Sequence, residues 1–158
     1  MRSQALAVIA TLIILSFYGT ASSAEFIEPT KNDKCAVCGM FPYKYPNWIA
    51  EIIFKDGTYV VFDGPKDMFK YYFNTSKYSR GKRSKNNIAD IHVTEYYSTK
   101  KMRAQDVFFV TDSNVNGPMG KELVPVKGRK EAESFKEDHK GKKILTFDEL
   151  TPDDVPEY

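Results

Sequence analysis

Apolar positions along this chain change period at regular intervals, and the changes mark out its elements. Trp48 to Phe54 is apolar apart from Glu51, and Thr58 to Phe62 is β-branched and aromatic. Asp56-Gly57 between them is a tight-turn signal, so the two runs read as a strand and its return. After Asp63-Gly64-Pro65 the spacing becomes helical, with Met68, Phe69, Tyr72 and Phe73 recurring on one side. Asp63 is a candidate cap and Pro65 suits a first turn, which predicts a helix over Pro65 to Phe73. Ile88 to Tyr97 alternates Ile91, Val93 and Glu95 against His92, Thr94 and Tyr96, the period of a further strand. The order then recurs. Val107 to Thr111 is a strand, and Asp112 to Pro118 is a loop dense in turn residues. Glu122 to Val126 is a short strand. Gly128 to Lys140 is a charged helix with Ala132 and Phe135 inward, and Lys143 to Phe147 is a last strand ahead of a turn at Asp148 to Leu150. Two β-β-α-β units of weak mutual identity predict an α+β fold, a mainly antiparallel sheet with helices on one face.

Ahead of these units lies a different pattern. Arg2 supplies a positive charge, Ala5 to Phe17 is almost wholly apolar, and Ala21-Ser22-Ser23-Ala24 offers small residues around a cut after Ala24. This is the layout of a secretory signal, and the apolar run is shorter than the roughly 20 residues a spanning helix needs. The expected organisation is a signal peptide over 1–24, an arm over 25–34, one domain over 35–150 and a polar tail over 151–158. No cysteine stands near Ala24, which leaves a lipid anchor there unsupported. The expectation is an exported, periplasmic protein with no membrane span after cleavage. The sequence holds 23 Lys and Arg against 21 Asp and Glu. So even a balance creates no strong field toward nucleic acid. The basic stretch from Lys77 to Lys85 carries Ser, Gly and Asn rather than stacking aromatics, and reads as a solvated loop. With 11 Phe and 10 Tyr the chain has ample material for one core.

Candidate chemistry is concentrated in Cys35-Ala36-Val37-Cys38-Gly39-Met40, which contains both cysteines of the chain. A structural zinc site needs four protein ligands, usually from two such pairs, and there is no second pair. A thioredoxin-like motif needs a helix starting at the second cysteine, which Pro42 disfavours. A plain disulfide is compatible with an oxidising compartment but leaves Met40 unexplained. Thiolate and thioether are soft donors that select Cu(I) over hard cations. Gly39 lets the backbone turn so that Cys38 and Met40 aim at one ion, and Cys35 can add a second thiolate. Met119, framed by Gly117-Pro118 and Gly120, is a further donor on a loop rather than on a core stripe. Met68 reads as core, and Met102, behind two lysines, as partly exposed. His139 reads as a surface residue at a helix C-terminus, and His92 as a secondary ligand or supporting group. A Cu(I) carrier, a thiol–disulfide oxidoreductase using Cys35 and Cys38, and a disulfide-stapled interaction domain all remain open on these residues alone.

Four marks taken in order resemble the NosL family. They are Cys35-x-x-Cys38-Gly39-Met40, Phe62-Asp63-Gly64-Pro65-Lys66-Asp67-Met68, Gly117-Pro118-Met119-Gly120-x-Glu122-Leu123, and His139-Lys140-Gly141-Lys142 leading into Ile144-Leu145-x-Phe147-Asp148. The resemblance implies an exported Cu(I)-binding accessory protein, not an enzyme. It implies delivery of copper to nitrous oxide reductase or another copper-accepting protein, and a duplicated β-β-α-β fold similar to a domain of organomercurial lyase. It also implies that Cys38, Met40 and Met119 are the copper ligands. Many members of that family carry an acylated cysteine after the signal. Here the first cysteine is Cys35, which favours an untethered carrier.

Overall fold

The computed structural model describes residues 24–157, so the signal segment predicted for 1–24 falls almost wholly outside the described residues. Strands β1 (Ala50–Phe54) and β2 (Tyr59–Phe62) form the expected hairpin. Asp56 accepts from the backbone and hydroxyl of Thr58, and Gly57 takes a φ of +79°, the left-handed conformation that glycine enters without penalty. Helix α1 (Pro65–Phe73) covers the predicted span, followed by a short turn of helix, α2 (Thr75–Tyr78), that runs into the start of the basic stretch. Strand β3 (Ile88–Thr94) pairs with β1, and β4 (Lys101–Arg103), which has no clear alternation in the sequence, pairs with β3. The resulting sheet has the order β2-β1-β3-β4, antiparallel throughout.

The second unit consists of β5 (Phe108–Val110), a hairpin of β6 (Asn116–Gly117) and β7 (Gly120–Lys121), β8 (Val124–Val126), α3 (Arg129–Asp138) and β9 (Ile144–Leu145). Its three-stranded sheet has the order β8-β5-β9. In both units the first strand lies in the middle, the second and third flank it antiparallel, and the helix connects those two. The topology is therefore duplicated although the side chains are not. Where one mainly antiparallel sheet was expected, the antiparallel structure is split into a four-stranded sheet, a three-stranded sheet and the two-stranded β6–β7 hairpin. Beyond the end of β3, Tyr96 donates its N–H to Pro125 of β8, which ties the first two together.

One core spans both units. Phe69 of α1 meets Phe109 of β5 edge to face at 5.0 Å and Phe147 at 5.5 Å between ring centres, geometries that add to the burial of these large side chains. Ala50, Ile52, Phe62, Met68 and Val93 complete the same cluster, while Val110, Val124, Val126, Ala132 and Phe135 form a second one under α3. Near the end of α1 it is Tyr71 that is buried, and Tyr72 and Phe73 are only partly covered. Residues 151–157 fold back on the domain: Val155 is buried in the main cluster, and Lys143 donates to Asp154 at 2.6 Å. No helix among the described residues is long and apolar enough to cross a membrane.

Candidate metal centre

The loop from Cys35 to Met40 closes on itself. The Cys35 N–H donates to the Met40 carbonyl at 2.7 Å, and the Gly39 N–H to the Cys35 carbonyl at 3.0 Å. Gly39 makes the turn with a φ of +79°. Ala36 donates its N–H to the carbonyl of Val61, next to the end of β2. That anchor sets both thiols beside the connection from β2 into α1, where Asp63 and Asp67 stand. Cys35 donates from Sγ to Asp67 Oδ2 at 3.2 Å, and Cys38 from Sγ to Asp63 Oδ1 at 3.1 Å. One donor atom from each of the four residues lies within 4.8 Å of all the others. Both cysteines are free; Cys35 is buried and Cys38 partly so.

Asp63 was expected to cap α1. Instead Gly64 occupies the cap position, with no side-chain cap bond, and the Asp63 carboxylate faces Cys38. Neither aspartate is legible as a site residue in the sequence, because their thiol partners are 25 and 32 positions away.

The electrostatics of the cluster favour thiols over free thiolates. Burial pushes the Cys38 thiol up to about 12, with Asp67 and Asp63 adding to the effect and the Met40 N–H opposing it. Burial likewise pushes Cys35 far above its ordinary value, with Asp63 acting in the same sense and the N–H groups of Cys38 and Val37 in the other. Asp63 thus acts on both sulfurs. A cation entering the cluster reverses this balance, since it can replace the thiol protons and draw on the backbone N–H groups to stabilise the sulfur charge.

Met40 and Met119 are both half-buried. The carbonyl of Met40 closes the cysteine loop. Met119 sits with Pro118 in the two-residue turn of the β6–β7 hairpin, and its carbonyl accepts from Lys66 Nζ at 2.6 Å. That bond brings the hairpin to the first turn of α1, next to Asp67. The backbone N–H of Lys66 donates to Glu122 Oε1, which also accepts from Leu123 N–H at 2.9 Å. Burial pushes the Glu122 carboxyl up to about 8, against the lowering by those two N–H groups and the Lys66 charge.

His92 belongs to a separate polar cluster. It pairs across the strands with Glu51, Nδ1 to Oε1 at 3.1 Å, and Glu51 also accepts from the Ile27 N–H. The N-terminal arm covers this site through Phe26, edge-on to the His92 ring at 6.1 Å. His139 ends α3, with its ring over Phe135 at 4.3 Å. Neither histidine is part of the thiol–carboxylate cluster.

Fold and site together define a duplicated α+β domain with a cysteine–aspartate cluster at the first-unit β2–α1 junction. The chain belongs to the NosL family, whose model matches residues 26–155. It is similar in structure to the copper chaperone NosL from Shewanella denitrificans, with a TM-score of 0.69 and 21% identity, covering 82% of this chain and 97% of that one. At that identity the likeness speaks for the fold. No curated protein matches the sequence.

Proposed function

We propose that this protein is a carrier of Cu(I), exported to the periplasm, which hands its ion to a copper-accepting protein and performs no catalytic step of its own. The observation that carries the reading is the convergence of two reduced cysteines on one small cluster with Asp63 and Asp67. Two thiolates suit a soft monovalent ion, and the metal displaces the thiol protons as it binds. In this reading Cys35 and Cys38 supply thiolates, and Met40 and Met119 supply neutral thioethers. A Cu(I) bis-thiolate carries a net negative charge beside two buried carboxylates, which works against very tight retention and favours transfer. Membership of the NosL family and the copper chaperone of the same fold support copper as the cargo, and nitrous oxide reductase is the acceptor we propose on that kinship.

A thiol–disulfide oxidoreductase needs a cysteine whose pKa is lowered so that it attacks as thiolate. Here burial drives both thiols the other way, with Asp63 acting on each and Asp67 adding to the effect at Cys38. Titration of the reduced protein with Cu(I) against a chromophoric chelator tests the carrier reading. One ion per chain, with affinity lost in Cys38→Ser and weakened in Met119→Ala, is the expected result. No competition with the chelator would sink it.

A further inference from the structure

Lys66 is 1% exposed, and so buried a lysine is rare unless its ammonium is held. It connects two distant parts of the chain by two bonds. Its ammonium donates to the carbonyl of Met119, and its backbone N–H to the carboxylate of Glu122, 53 and 56 positions away. Glu122 follows β7 directly, so both bonds end on the same hairpin. Two glycines make the room: a Cβ on Gly64 would stand 2.2 Å from Glu122 Oε2, and one on Gly117 2.9 Å from it. The carboxylate is thus wedged between the start of α1 and the hairpin. Asp67 follows Lys66 on the same helical turn and holds Cys35.

We propose that Lys66 and Glu122 are positioning residues for the metal site: they fix the β6–β7 hairpin on the first turn of α1, and so hold Met119 in register with the thiols. Neither donates to the ion. The inference rests on the reading of Met119 as a copper ligand. It assigns the placement of that ligand to a lysine and a glutamate that have no donor role of their own. A hairpin of two-residue strands has little stability by itself, so its position depends on this attachment.

The test is a double-mutant cycle read by Cu(I) affinity in chelator competition and by the number of sulfur neighbours in copper K-edge absorption. Lys66→Leu removes the ammonium without adding a copper donor. It should weaken binding about tenfold, the scale at which outer groups tune a metal site, and remove one sulfur from the copper shell. In a Met119→Ala background the same substitution should cost nothing further, because the ligand it positions is gone. Glu122→Ala should behave like Lys66→Leu, while Glu122→Gln, which keeps an acceptor oxygen, should stay near the parent protein. Thermal melts of the apo forms identify any variant that fails to fold, and the Glu122 pair carries the comparison if Lys66→Leu is one. If Met119→Ala weakens binding while Lys66→Leu and Glu122→Ala leave affinity and sulfur count unchanged, the positioning role is wrong and the carrier reading stands. Equal losses from Lys66→Leu with and without Met119 would also overturn it, since the effect would then not pass through that ligand. If Met119→Ala itself has no effect, the assignment of Met119 as a ligand fails, and the positioning role with it.

Discussion

Cys38 points its thiol at Asp63, Sγ to Oδ1 at 3.1 Å, and the acceptor belongs to the residue that links β2 to the start of α1. Asp67, one helical turn further on, does the same for Cys35. The protein therefore holds both sulfurs as hydrogen-bond donors to carboxylates.

Copper affinity should climb steeply with pH. Both thiols are protonated at neutral pH, Cys38 with a pKa pushed to about 12. Each thiolate formed on binding releases a proton, so the apparent association constant rises about tenfold per pH unit for every thiol displaced. Ligation by both cysteines gives a slope near two between pH 6 and 9, and ligation by Cys38 alone gives one. Chelator competition at several pH values, or calorimetry in buffers of different ionisation enthalpy, distinguishes them.

The apo thiols should alkylate slowly, and Asp63→Asn should quicken the reaction at Cys38. Burial is the larger cause of the raised thiol pKa and persists in the variant, but the hydrogen bond that the Asp63 carboxylate accepts from the thiol is weakened when an amide replaces it. The reactive species is the thiolate, so a several-fold faster rate with iodoacetamide at pH 8 is expected. Mass spectrometry of the modified peptide measures it; an unchanged rate would show that the carboxylate has no influence on the sulfur.

Glu122 should make the apo protein less stable as pH rises. Its folded pKa, near 8, lies above the ordinary carboxyl value of 4.5. The folded state therefore holds the proton more tightly than the unfolded chain between those values, and stability falls as pH increases from about 4.5 to 8. Glu122→Gln removes this slope while keeping an acceptor for the Lys66 N–H. Urea titrations at pH 5 and pH 8 should show the variant gaining on the parent at the higher pH, by a margin on the order of 1–3 kcal/mol.

Gly39→Ala should damage the site without any clash. A Cβ there meets nothing within 4 Å, but the residue needs a φ of +79°. The expected cost is about 1 kcal/mol of stability, with a weaker copper complex because the Cys35–Met40 loop closes through this turn. A variant equal to the parent in both melting and chelator competition would show that the loop tolerates another turn.

The hairpin at Asp56-Gly57, the span of α1 and the repeated β-β-α-β order are all legible in the chain, because turn residues and side-chain period act over a few positions. The cysteine loop is legible for the same reason: Cys35, Cys38, Gly39 and Met40 lie within six residues of one another. Strand β4 and the β6–β7 hairpin are not. Lys101–Arg103 has no alternation, and the hairpin forms inside a stretch whose Asn, Gly and Pro read only as loop. Asp63 illustrates the limit: its local context is that of a helix cap, yet its partner is a thiol 25 residues earlier.

What the sequence determined by itself is thus the elements of the two repeated units, their duplication and the pair of thiols. Only the tertiary structure decided which groups surround those thiols. The Ala36–Val61 bond brings the loop to the β2–α1 junction, and α1, packed on β1, β2 and Phe109 of β5, buries Asp63, Lys66, Asp67 and Glu122 together. Charged groups are buried only when partners meet them there. Those partners come from segments tens of residues apart, a relationship that exists once the core has formed and that no local pattern encodes.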